Sequence, residues 1–242
     1  MSWLDGFYNH RRHLYFNLTH LVILMRGLKT FAAVVLLGSA TAGAATEKLS
    51  FPHAAELTAE AKSIIFQEVN ESGIPNYMHQ EMMCLAENIY FEARAEGIEG
   101  KAAVANTTRN RVQSKDFPNS YCGVVYQGPV RESWKTKQNP DLAEKDRVYY
   151  PRKHRCQFSW YCDGKKDVIW ANYERSGKSI KLNAEAWRKS VEVAIWTLGY
   201  GSYTVNDNTG GSLYYYAHNL VYPYWADSKT LTKIIGNHTF MK

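Results

Sequence analysis

Apolar positions recur at helical spacing in four stretches of the chain. Residues 54–69 fit one helix, broken by Ser72, Gly73, Ile74 and Pro75. A second helix is predicted over 79–95, closed by Gly97, and a third over 99–112, where Ala102, Ala103 and Ala105 permit close packing. The clearest pattern begins at Asn183, a residue suited to capping. Ala184, Trp187, Val191, Ala194 and Leu198 then form one apolar stripe, and Gly199 ends it. Between Phe117 and Trp170 the periodicity is lost. Short apolar runs at 124–126 and 157–160 flank a charged, proline-bearing stretch, which predicts long loops with short strands. Beyond the last helix, 206–211 has turn chemistry, and the aromatic runs 213–216 and 222–225 suit a small hairpin or one wall of a cleft. The pattern describes an α+β fold, mainly α, with a small β element and long loops, and contains no internal repeat or low-complexity segment.

The start of the chain reads differently. Arg26 and Lys29 precede a small, apolar run over 31–37 that ends in Ala42, Gly43 and Ala44, the make-up of a signal peptide with an A-x-A cleavage site. Residues 1–45 are therefore expected to be a leader, 46–78 a lead-in helix and linker, and 79–242 the main domain. Met25, directly before Arg26, offers a second possible start. The apolar run is short for a bilayer span, so only transient membrane contact through the leader is expected, with export to the periplasm or the cell wall. In an oxidising compartment Cys84, Cys122, Cys156 and Cys162 favour disulfides; three pairings are open, and spacing selects none. Cys156 and Cys162 lack the C-x-x-C spacing of a zinc knuckle, and neither a metal nor another cofactor is expected.

Charge and aromatic content narrow the choice of partner. The net charge of +6 attracts polyanions, among them nucleic acid, anionic membranes and acidic wall polymers. The 17 Tyr and 7 Trp provide faces for stacking on sugars or bases. Arg109, Arg111, Lys115 and the basic stretch 152–155 are scattered and accompany no nucleic-acid motif, so nucleic acid is not expected as a partner. The eight histidines are dispersed and form no H-E-x-x-H, which sets aside a zinc peptidase.

One carboxylate stands out. At about 100° per residue, Leu85, Ile89, Glu92 and Glu96 fall within roughly 60° of one another, with Met82 alongside, while Glu87 points to the opposite side and is expected to be solvated. A carboxyl held on an apolar stripe loses hydration that its ionised form needs, so Glu92 is expected to keep its proton toward neutral pH, as glycosidic bond cleavage requires. Glu96, one turn on, would raise it further. The bland alternatives are an ion pair of Glu92 with Arg109 or Arg111, and a Glu96 that ends the helix or pairs with Lys101 or Arg94.

The run from Ala86 to Gly97 contains Phe91-Glu92-Ala93-Arg94-Ala95-Glu96. Together with Glu99-Gly100, the alanines of the third helix, Asn110-Arg111-Val112 and Phe117-Pro118, it resembles the spore cortex-lytic enzyme family of cell wall hydrolases. Cys122 to Gln127, Gln157-Phe158-Ser159-Trp160, Cys162-Asp163-Gly164, Trp225-Ala226 and Ile235-Gly236-Asn237-His238 continue the likeness in order, from about Cys84 to the C-terminus. The resemblance implies a mostly helical, lysozyme-like catalytic domain of the lytic transglycosylase type, and a monomer is expected. Its partner would be the glycan strand of peptidoglycan, cut between N-acetylmuramic acid and N-acetylglucosamine. It implies Glu92 as the acid, serving next as base so that the muramic acid 6-hydroxyl closes on its own anomeric carbon. Glu96 is the second candidate catalytic residue. Gln157, Phe158, Ser159 and Trp160 would line the cleft, with Tyr126 and Tyr215 as further substrate contacts. The chain departs from the family's pattern at Ala95, where glycine is usual, in a longer and more charged stretch over 128–155, and at Tyr214, Tyr215 and Tyr216, where histidine is more common. The alternatives are a hydrolase using Glu96, Asp163 or Asp167 as second carboxylate, and a non-catalytic wall-binding protein.

Overall fold

The second predicted helix turns out to be the axis of the fold. The computed structural model describes residues 55–169 and 177–242, with side chains 177–182 left out; the expected leader lies outside the described residues. Strand β1 (Glu56–Leu57) opens the described chain, and α1 (Ala59–Ser72) follows. The helix begins later than its apolar pattern suggested because Thr58 caps it, its hydroxyl accepting from the Ala61 amide at 3.3 Å. Helix α2 (His79–Ala93) is buried at every position from Met82 to Tyr90, and α3 (Ile98–Gln113) packs along it through Ala102, Ala103, Val104 and Ala105.

Where the sequence suggested a strand at 124–126, the chain forms α4 (Tyr121–Val125). Ser120 caps it by accepting from the Gly123 amide at 3.0 Å, and a disulfide between Cys122 and Cys84 fastens it to α2. The charged stretch folds as an antiparallel pair, β2 (Val130–Glu132) and β3 (Tyr149–Pro151), with the one-turn α5 (Trp134–Lys137) between them. Residues 157–160 do not form a strand either; they lead into a 3-10 turn, Ser159–Cys162, closed by the Cys156–Cys162 disulfide. Strand β4 (Val168–Ile169) then pairs in parallel with β1.

Helix α6 (Gly177–Thr197) begins well before Asn183, which is therefore an interior residue rather than the cap. Its stripe is as expected. Ala184, Trp187, Val191 and Ala194 are buried, and the Trp187 indole donates to the Ala61 carbonyl of α1 at 3.1 Å. Gly199, at φ +85°, takes the left-handed conformation that ends the helix, with the Tyr200 amide donating back to Ile195 at 3.1 Å. The first aromatic run becomes β5 (Tyr214–Ala217) of a three-stranded antiparallel sheet with β6 (Leu231–Ile235) and a central β7 (His238–Met241). The second run makes no strand and enters a 3-10 turn, Tyr224–Ser228. The result is a mainly helical α+β fold with small sheets and long loops, as the pattern predicted.

The two disulfides close loops of very different length, with sequence separations of 38 and 6. Chain entropy assigns about 4 kcal/mol to the longer and about 2 kcal/mol to the shorter. Replacing Cys84 and Cys122 together by Ala is expected to lower the unfolding free energy more than replacing Cys156 and Cys162, as read from guanidinium titrations.

Candidate active site

Glu92 sits in the last turn of α2 at the base of a cavity of about 610 Å³. Gln157, Phe158, Ser159 and Trp160 form one wall and Tyr214, Tyr215 and Tyr216 of β5 another; Phe91, Arg111, Trp225, Lys229 and His238 also line the cavity. The wall around Trp160 is held from below. Its ring stacks on Phe91 at 4.6 Å and 21°, and its indole donates to Asn88 Oδ1 at 3.1 Å. Asn88 in turn donates to the Thr108 hydroxyl of α3 at 3.2 Å, so a fully buried polar side chain of α2 links the cavity wall to the third helix.

The electrostatics single out Glu92. Burial pushes its carboxyl up to about 7, against the opposing pull of the Tyr215 hydroxyl and the Arg111 guanidinium. Tyr215 makes no hydrogen bond of ordinary geometry, yet its hydroxyl acts on both the Glu92 and Asn88 side chains, and burial beside a carboxylate raises its own pKa well above normal. Arg111 is buried inside an aromatic box, its guanidinium 5.0 Å from the Phe158 ring, 5.4 Å from Phe117 and 5.9 Å from Tyr215. Its Nε donates to the Leu213 carbonyl at 2.7 Å, whereas buried Nη1 has no hydrogen-bond partner. Arg109 plays no part; it donates to the Val205 carbonyl at 3.0 Å. Asn88, Phe91 and the boxed Arg111 went unrecognised as site residues in the sequence, where Arg111 stood out only as a possible ion-pair partner.

Three sequence-based expectations need correction. Glu87 is not solvated: it is 1% exposed, accepting from the Ala55 amide at 3.2 Å and from the Tyr126 hydroxyl, and burial pushes it up to about 7. The helical wheel misplaced it because α2 has no solvent face. Tyr126 is spent on that contact and lies behind the cleft, its ring edge-on to Trp160 at 6.2 Å, rather than in the cavity lining. Glu96 follows the end of α2 and turns away from the lining. Its Oε1 accepts from the Asn237 side-chain amide at 2.8 Å and lies 3.8 Å from His238 Nδ1, fastening the turn between β6 and β7. Gly236 holds φ +56°, a conformation that favours glycine, and a Cβ there would fall 2.0 Å from Glu96 Oε2, so the carboxylate would have to move. Asp163 and Asp167 also lie outside the lining, leaving Glu92 as the carboxylate of the cavity among the described residues.

An aromatic-walled cleft with one desolvated carboxyl at its base has the make-up of a carbohydrate-cleaving site. Residues 95–241 match the cell wall hydrolase family, and the chain belongs to it. The match begins just after Glu92. The chain is similar to the spore cortex-lytic enzyme of Bacillus cereus, with 25% identity over 173 residues, 71% of this chain and 48% of that protein. The spore cortex-lytic enzyme of Bacillus subtilis shares 39% identity over 51 residues, 21% of this chain and 17% of that protein. The chain thus spans about half the length, or less, of the curated relatives it matches. Among solved structures, the catalytic domain of the germination-specific lytic transglycosylase SleB from Bacillus anthracis is 24% identical with a TM-score of 0.39, covering 70% of this chain and 100% of that one. The Bacillus cereus SleB catalytic domain is 26% identical with a TM-score of 0.40, covering 70% and 95%.

The raised carboxyl carries a stability cost with a definite sign. Folding lifts Glu92 from 4.5 to about 7, so its favourable contribution is complete below pH 4.5 and is lost as pH rises through about 7. Glu92→Gln, which has no such titration, is expected to gain on the unsubstituted protein by about 2 kcal/mol between pH 4.5 and 8, allowing for solvent on the cavity side. Urea unfolding of both proteins at the two pH values measures it.

Proposed function

We propose that this enzyme cuts the glycan strand of peptidoglycan between N-acetylmuramic acid and N-acetylglucosamine as a lytic transglycosylase, with Glu92 as its single acid and base. The observation that carries this reading is the pairing of a proton-retaining Glu92 with a cavity lining that offers no second carboxylate among the described residues. Glu92 donates its proton to the glycosidic oxygen as the bond from that oxygen to the anomeric carbon breaks, the bonding pair leaving with the oxygen. Positive charge develops on the muramic acid ring. The new Glu92 carboxylate faces the Tyr215 hydroxyl and the Arg111 guanidinium, both of which favour its charged form. It then takes the proton of the muramic acid 6-hydroxyl while that oxygen bonds to the anomeric carbon. The products are a 1,6-anhydro end and a free N-acetylglucosamine hydroxyl, with no water consumed. The half-buried rings of Tyr214, Tyr216 and Trp225 suit the flat faces of sugars.

Glu96 has a positioning role in this scheme, holding the β6–β7 turn behind His238, whose ring meets Tyr215 edge-on at 5.5 Å and 81°. We also place the enzyme outside the cytoplasm, on the strength of the A-x-A leader and the two disulfides.

Purified peptidoglycan treated with the full chain should release anhydro-ended muropeptides by mass spectrometry, and Glu92→Gln should slow this by about 10²- to 10⁴-fold. Reducing-end products would instead mean hydrolysis, and no glycan cleavage would mean a wall-binding protein. Because the acid must carry its proton, kcat/KM should fall as pH rises through about 7. Tyr215→Phe removes an interaction that lowers the Glu92 pKa and should move this fall to higher pH, as a pH–rate profile shows.

A further inference from the structure

A second cavity, of about 650 Å³, adjoins the same 3-10 turn that forms the Trp160 wall. Its charged lining is Arg131 of β2, Arg152 and Lys153 from the turn after β3, and Lys165, with the rings of Tyr150 and Tyr161 between them. No Asp or Glu lines it. Lys165 lies 3.6 Å from Asp163, but among the described residues Arg131, Arg152 and Lys153 have no carboxylate within ion-pair distance. Gathering like charges without neutralising them is unfavourable, and an anionic ligand removes that cost.

The backbone that carries these side chains is fixed at several points. Arg131 pairs in register with Tyr150, and the Arg152 amide donates to the Pro129 carbonyl at 2.8 Å. His154 is held at φ 58°, a left-handed conformation seldom taken by residues other than glycine, with its amide donating to the Cys162 carbonyl at 2.9 Å. The Cys156–Cys162 disulfide closes the loop behind it. The stem of Lys153 lies against Gly164, where a Cβ would come within 3.0 Å of Lys153 Cε.

The two cavities share one short element. Ser159 and Trp160 line the catalytic cleft, and the next two residues, Tyr161 and Cys162, line the basic cavity. A 3-10 turn rises only about 2 Å per residue, so the two linings meet within a single turn of chain, close enough for one substituted polymer to reach both. Peptidoglycan carries peptide stems with free carboxylates on its muramic acid residues, and Arg forks bind carboxylates in bidentate fashion. We propose that this basic cavity binds the carboxylates of the peptide stem carried by the strand in the cleft, so that the enzyme prefers stem-bearing glycan. The proposal rests on the glycan-cleaving reading of the first cavity.

The test compares full-length Glu92→Gln, which leaves strands uncut, with the same protein carrying Arg131→Ser, Arg152→Ser and Lys153→Ser. Co-sedimentation is measured with intact peptidoglycan and with glycan stripped of stems by an amidase. All three residues are exposed, and circular dichroism verifies that the fold is kept. The three changes are expected to weaken binding to stem-bearing material on the order of tenfold, leave binding to stripped strands unchanged, and abolish competition by free stem peptide. Equal binding of both proteins to stem-bearing material overturns the proposal. So does an equal loss on stripped strands, or competition by a phosphate-bearing wall polymer but not by stem peptide. Cleavage of stripped strands with Glu92 present is assayed separately, and should be the same with and without the three changes. If neither protein cuts any strand, the glycan-cleaving reading fails while the binding comparison still decides the role of the cavity.

Discussion

Burying α2 on every side obliges its polar groups to find partners inside the protein, and the other elements are placed so as to supply them. Glu87 takes the Ala55 amide and the Tyr126 hydroxyl, which draws the N-terminal strand and α4 against the helix. Asn88 bridges α3 and the Trp160 wall. At the C-terminal end, buried Lys101 donates to the Ala93 carbonyl at 2.6 Å and the Arg94 carbonyl at 3.1 Å, satisfying groups that a helix end leaves open. Glu92 differs from these residues because its neighbours, Tyr215 and Arg111, belong to the cavity lining. The same burial that makes α2 a scaffold therefore leaves one carboxyl desolvated where a ligand can reach it.

Two carboxylates on one helix, both pushed up to about 7, serve different ends, and the difference is one of access. Glu87 is closed off by the hydrogen bonds it accepts, whereas part of Glu92 faces open space. A raised pKa marks both, so only the cavity distinguishes the candidate acid from the structural carboxylate.

Much of this was legible from periodicity. All four predicted helices exist, the α6 stripe is buried as its spacing requires, and Glu92, picked out by lying among apolar residues, lines the cavity. The failures share a cause. A helical wheel presumes one dry face and one wet face, which holds for α6 and not for α2, so Glu87 was assigned to water it never meets. It also presumes that the helix continues: α2 ends at Ala93, and Glu96, drawn on the stripe, is carried out of the cleft. The strands expected at 124–126 and 157–160 gave way to the Ser120 cap and the disulfide loop, local devices that an apolar run does not reveal. Arg111 acquires its meaning from Phe117, Phe158 and Tyr215, residues distant from one another in the chain, and no local pattern encodes that box.

The Glu96–Gly236 contact bears on how the enzyme tolerates change. Gly236 has no part in the cavity lining, yet a side chain there would be strained at φ +56° and would displace the Glu96 carboxylate that holds the turn carrying His238, whose ring meets Tyr215 in the lining. Sensitivity to substitution at this turn consequently reflects the packed groups that connect it to the cavity lining rather than a place in the lining itself. A map of tolerated residues drawn by distance from the cleft would misjudge the hairpin tip as free to vary.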